Sequence, residues 1–273
     1  MMTKRGTFLR GAIPITLVLL ISPLVLAGGI ALEIPFYTLD LTTTLAHVPT
    51  AVADSLDALG VPSADAYEVI AELNTALAEI ETELPVSSLP IPLFGGSIEF
   101  SLPFVLIDGL RFSGAILNDR ILRGAAALFG LTIPKPLIDT QFEADGFNAS
   151  ATADASFFTF MLSTDLVKRL DLLIAGIDIG LGLDLIQGRI TPEVDLDVPG
   201  FQTEVDAALA ALHLGELYWS AFAVHGTFGF EIGLPFLRTF VEVRFLLPIS
   251  QSRGWWPISV DGFAGSVGVV IRF

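Results

Sequence analysis

The side chains of this sequence that could do chemistry are one-sided. There are 30 Asp and Glu, 14 Lys and Arg, three histidines and no cysteine. The histidines, at 47, 213 and 225, are too scattered for a metal site, and no HExxH spacing occurs. Without cysteine there is no disulfide, thiolate ligand, cysteine nucleophile or lipid-bearing cysteine. The GxSxG elbow and the phosphate loop are missing, and the glycines from Gly176 to Gly182 lack the third glycine of a dinucleotide fingerprint. A hydrolase using His225 and a serine is the one catalytic arrangement the residue types allow, and no spacing supports it. The sequence therefore implies no enzyme, no cofactor and no metal. A formal charge of −16 also disfavours nucleic acid, whose phosphates require clustered Lys and Arg.

What remains is a set of charged residues interleaved with apolar ones: Arg111, Asp178, Asp184, His225, Glu231, Arg238, Glu242 and Arg244. Carboxylates beside guanidinium groups in a small enclosed space form a structural ion-pair network, or line a path for a ligand or ion. The elements that would carry them have a period of two. From Leu173 to Leu185 every odd residue is aliphatic, opposite Gly176, Asp178, Gly180, Gly182 and Asp184. Those thirteen residues would make a strand of roughly 40 Å at about 3.3 Å each, part of an element expected over Leu170 to Gln187. Tilted by about 40°, it climbs about 30 Å, enough for the roughly 25 Å apolar band of a membrane barrel.

Other stretches repeat the pattern. Ile98, Phe100, Leu102, Phe104 and Leu106 alternate with Glu99, Ser101 and Pro103, before a turn at Asp108-Gly109. Tyr218, Phe222, Val224, Phe228, Phe230 and Ile232 oppose Trp219, His225, Thr227 and Glu231, and Leu237 to Leu247 oppose Arg238, Glu242 and Arg244. The chain is 52% hydrophobic and 16% charged, against roughly 25% charged in ordinary soluble domains. Beyond the N-terminus no uncharged apolar run reaches the roughly 20 residues of a spanning helix. A closed barrel reconciles those facts, because it pairs every backbone group while showing lipid only alternate side chains.

The first 27 residues have the layout of a signal peptide: Lys4, Arg5 and Arg10, an apolar core from Ala12, and Val25-Leu26-Ala27 as the cleavage site. Removing those three basic residues leaves 11 against 30, a net of −19. Residues 28–87 read as an acidic helical segment, a plug or a periplasmic element, with ten acidic residues and no Lys or Arg between Gly28 and Pro85. Within it Ile70, Leu73, Leu77, Ile80 and Leu84 form one helical stripe. Thr203-Glu204-Val205-Asp206 is a capping box that opens a helical loop insert.

The last strand carries a resemblance. Val267, Val269, Ile271 and the terminal Phe273 alternate on one face, interrupted only by Gly265 behind Phe263. In this the chain resembles bacterial outer-membrane β-barrel proteins, and among them the uncharacterised barrels of spirochaete-like bacteria. The resemblance implies that these four residues are an assembly signal read by the barrel-assembly machinery. The expectation is thus an exported all-β membrane barrel, antiparallel and up-and-down, of about eight strands or ten, over residues 88–273. Its site would be bacterial outer-membrane lipid, and its role non-enzymatic: structural, or passive transport of small or hydrophobic solutes. Trp255, Trp256, Tyr218 and Trp219 are the candidate interfacial anchors. The alternative is a soluble periplasmic or secreted barrel whose aliphatic rows point inward around an apolar ligand.

Overall fold

A computed structural model describes residues 28–273 apart from 59, 84–87, 103, 129, 131, 134, 136–137, 145–146, 198–201, 214 and 216. The expected signal segment lies outside the described residues. Among the described residues ten strands and four helices follow one another. They are β1 (Gly28–Asp40), α1 (Thr42–Ala58), α2 (Ser63–Glu83), β2 (Ser88–Pro92), β3 (Phe94–Ser101), β4 (Gly109–Asn118), α3 (Asp119–Leu128), β5 (Ile138–Ala144), β6 (Phe147–Asp171), β7 (Ala175–Asp197), α4 (Gln202–Ala211), β8 (Leu217–Leu234), β9 (Leu237–Arg253) and β10 (Ser259–Arg272).

Each strand pairs antiparallel with its neighbours in the order β10-β9-β8-β7-β6-β4-β3-β1-β2, and β1 pairs back onto β10 from Gly29↔Arg272 to Asp40↔Ser259. That last pairing closes the ring. β5 hangs on β6 outside it. β3 pairs with the first half of β1 and β2 with the second half, so the two are successive stretches of one line. The nine ring strands therefore make eight staves. No helix among the described residues is long and apolar enough to cross a membrane.

The closing strand corrects the expected boundary at residue 88. Gly28–Asp40 is a strand of the ring, and only the part from Thr42 onward is helical. The signal is present in the sequence: Ile30, Leu32, Ile34 and Phe36 alternate with Ala31, Glu33 and Pro35. Between β10 and β3 this segment satisfies its backbone groups on both sides, which a helix ahead of an open sheet would not do. The expected element over Leu170 to Gln187 is likewise divided: Leu172–Ile174 form a turn, and β7 begins at Ala175.

The two ends of the ring differ. One holds both ends of the described chain and three short connections, at residues 102–108, 172–174 and 235–236. The other carries all four helices, and we call it the helix end. Asp40 caps α1 through Thr42 N–H (2.9 Å) and Asn118 caps α3 through Ile121 N–H (3.0 Å), so each helix starts where its strand stops. α1 packs on both α2 and α4.

Candidate functional site

Among the described residues, the barrel interior holds the largest convergence of charged side chains. Along every stave polar and aliphatic residues alternate, and closure sends the two rows to opposite sides. On β7 Ile179 is 52% exposed, whereas Asp178 is 3% and Asp184 1% exposed. The aliphatic rows thus point outward, the reverse of a soluble barrel with an apolar cavity, and that alternative is corrected. Eight staves leave an interior only wide enough for side chains to fill.

All eight candidate residues, Arg111, Asp178, Asp184, His225, Glu231, Arg238, Glu242 and Arg244, are buried inside the ring. Glu33, Glu99, Asp165 and the largely buried Arg169 and Arg272 join them, five that the sequence reading did not single out. The same alternation marks them: Glu99 faces away from Ile98, and Asp165 and Arg169 extend the odd-numbered row of β6.

At the end with the short turns, Arg238 bridges Asp171 (2.5 Å) and Glu231 (3.5 Å), and Arg272 bonds Glu231. Arg169 grips Glu99 bidentately (2.8 and 3.0 Å) and reaches Asp178 (2.8 Å). One layer up, Arg111 extends from β4 across the lumen to Glu242 on β9 (2.5 Å) and Asp178 on β7 (3.1 Å). Arg244 binds the second oxygen of Glu242 (2.7 Å), Ser163 (2.8 Å) and Asp184 (3.4 Å). Several of these contacts, Arg111 to Glu242 and Asp178, Arg169 to Glu99, Arg238 to Asp171 and Arg272 to Glu231, join staves that are not neighbours in the sheet, so the network cross-braces the barrel. Only about 10 Å³ remains between Glu99, Arg111, Glu231 and Arg272, room for about one water.

His225 has its Nε2 at 2.5 Å from Asp165 and its Nδ1 at 2.7 Å from Asp184. Both ring nitrogens face carboxylates, so neither is left to activate a serine. The nearby Ser163 bonds Arg244 instead. The arrangement is a clamp between β6, β7 and β8, and the hydrolase reading has no base.

Above the charged layers the interior turns apolar. Trp219 donates its Nε1–H to Tyr37 OH (2.9 Å), which meets Thr159 Oγ1 (2.6 Å), whose hydroxyl donates to the Gln187 carbonyl (2.7 Å). Leu39, Leu93, Met161, Ile186 and Leu246 fill the rest, continuous with Ala51 of α1 and Trp256, and with Val48, Ile121 and Leu212 at the margin. Two helices, α1 and α3, and Leu212 just beyond α4 thus contribute to the cluster that closes the helix end.

Glycine makes room for the largest interior groups. Gly182 lies opposite His225, and Gly188 opposite Trp219. A Cβ on Gly182 would sit 2.7 Å from the imidazole, and one on Gly188 would strike the indole ring. Trp219 and Trp256 are therefore buried packing groups and not interfacial anchors, a correction to the expectation. Trp255 stacks on His213 (centroids 4.5 Å apart), and His47 lies 5.5 Å from both Trp255 and Trp256. Tyr218 and Trp255 remain exposed.

Comparison with known proteins adds little beyond architecture. No family model and no curated protein matches the chain. Among solved structures, Ail, the attachment invasion locus protein of Yersinia pestis, crystallised with the heparin analogue sucrose octasulfate, is 10% identical with a TM-score of 0.36. The match covers 90% of this chain and 99% of Ail. Neisserial surface protein A is 9% identical with a TM-score of 0.36, covering 90% and 97%. The closed ring itself decides the class: this is an antiparallel, up-and-down β-barrel.

Proposed function

We propose that the protein is an outer-membrane β-barrel that is closed to solutes, a scaffold that holds its acidic helical cap on the cell's outer side. The observation that supports this reading is the sidedness of the wall. A continuous belt of Ile, Leu, Val and Phe faces outward while arginines and carboxylates are sealed inside, an arrangement that hydrocarbon favours and water penalises. The loop asymmetry orients it. Outer-membrane barrels keep short turns on the periplasmic side and long connections outside, which would put the four helices at the cell exterior. Val267, Val269, Ile271 and Phe273, all exposed on the outer wall, would serve as the assembly signal.

The filled lumen argues against passive transport of apolar solutes, since an apolar molecule would have to cross layers of braced charge. The test is refolding into a planar bilayer. The expected result is detergent-dependent extraction from cells and insertion without conductance. Steady unitary currents would overturn the closed reading, and extraction by buffer alone would overturn the membrane reading. Deleting Phe273 should lower assembly in cells while leaving refolding into vesicles unchanged.

A further inference from the structure

The three connections at the end opposite the helices are unusual for turns. Residues 102–107 are Leu-Pro-Phe-Val-Leu-Ile, 172–174 are Leu-Leu-Ile and 234–237 are Leu-Pro-Phe-Leu, and the one charged side chain within these connections is Asp108, the last residue of the first. Val105 is 89% and Leu173 82% exposed, and Phe104, Leu106, Leu172, Ile174 and Phe236 are exposed as well. Water-facing turns draw instead on Gly, Asn, Asp and Ser. The turns follow one another around the rim, since β4 pairs with β6 and β7 with β8, and each continues the aliphatic row below it.

Four of their carbonyls are satisfied from within the protein. The Val105 carbonyl accepts from Lys168 Nζ (3.0 Å) and the Leu172 carbonyl from Arg238 Nη2 (3.3 Å). The Ile174 carbonyl accepts from Gly233 N–H (2.9 Å), and the Phe236 carbonyl from Arg272 N–H (3.0 Å). The rim carboxylates are matched in the same way: Asp108 by Lys168 (2.9 Å) and the Arg169 amide (2.7 Å), Asp171 by Arg238 (2.5 Å). A turn in water has no need of such donors. A turn in hydrocarbon does, because an unsatisfied carbonyl there costs several kcal/mol.

We propose that these three turns are immersed in the acyl chains of the leaflet at that end, so that the barrel is seated with its turns below the headgroup level. The inference rests on the membrane reading and adds depth to it. On β7 the outward row turns polar at Gln187, twelve residues beyond its start at Ala175. At about 3.3 Å each and a tilt of about 40° this is roughly 30 Å of apolar height before the turn residues are added, about 5 Å more than the usual barrel band. The hydrocarbon that matches this wall is correspondingly thick.

The test introduces tryptophan by Leu173→Trp, with Val105→Trp and Phe236→Trp on the other two turns, so that one variant failing to refold leaves the answer intact. Ile179→Trp, in the middle of the band, is the control. The native tryptophans 219, 255 and 256 are all at the helix end. Each variant is refolded into phosphatidylcholine vesicles with or without acyl-chain bromination, and titrated with aqueous iodide. We expect the turn tryptophans to be quenched by bromolipid like the control and to be indifferent to iodide. Quenching of the control alone, with iodide reaching the turns, overturns the proposal and leaves the membrane reading standing. If the control also escapes bromolipid, the membrane reading itself fails.

Discussion

Replacing Arg111 by methionine tests whether the lumen is braced as a unit. The side chain is 7% exposed and touches three carboxylates, Glu242 at 2.5 Å, Asp178 at 3.1 Å and Glu99 at 3.5 Å. Methionine fills much of the same space but leaves those acids one cation short. Glu99 and Asp178 keep Arg169, and Glu242 keeps Arg244 on one oxygen, so a single carboxylate oxygen loses its main partner outright. Removing one member of a buried pair costs about 3–5 kcal/mol, and the surviving contacts place this case near 3. Glu242→Gln alone should cost about 2–3 kcal/mol, because it strips a shared acceptor from Arg111 and Arg244. The double variant should fall short of the sum by about 1.5–3 kcal/mol, as contacting members of one network do. Urea titration of the protein in vesicles, followed by tryptophan fluorescence, measures all four proteins. A loss below about 1 kcal/mol for Arg111→Met, or additivity within about 0.5, would refute the braced lumen.

Glu33 is buried on β1 and makes no hydrogen bond among the described residues, so Glu33→Leu should stabilise the barrel by about 1–3 kcal/mol in the same titration, and destabilisation would mean that the carboxylate has a partner. Ile179→Arg should cost about 2–4 kcal/mol if that position lies at mid-bilayer, and unimpaired refolding into vesicles would contradict the outward lipid contact. Gly182→Val should prevent refolding, since its branched side chain meets the His225 ring and the Thr164 carbonyl; a folded, resistant band on unheated gels would show that the clamp can shift.

The strands most legible in the sequence were those where charge and aliphatic side chains alternate without a break, as in β7, β8 and β9. There alternation alone sorts the side chains into two faces, while which face points outward is decided by the closed ring. β1 was harder to read because it contains Pro35 and precedes an acidic stretch with clear helical spacing. The turn at Leu172–Ile174 was invisible for a different reason. It carries none of the residues that mark turns, and its side chains continue the apolar row of the strand after it.

The interior shows the same division. Alternation placed Arg111, Asp178, Asp184, His225, Glu231, Arg238, Glu242 and Arg244 on one row, and the excess of aliphatic residues demanded a closed sheet. It did not say which charge meets which. Arg111 finds Glu242 at a sequence distance of 131, and Tyr37 finds Thr159 at 122, because ring closure and stagger bring distant staves level across a narrow lumen. Whether Trp219 lies inside or at a membrane interface likewise depended on Gly188 standing beside it on the next stave. Local alternation determines which side chains share a face, since it is a property of one strand; which face is sheltered and which partners meet there are properties of the closed cylinder, and only the tertiary structure supplies them.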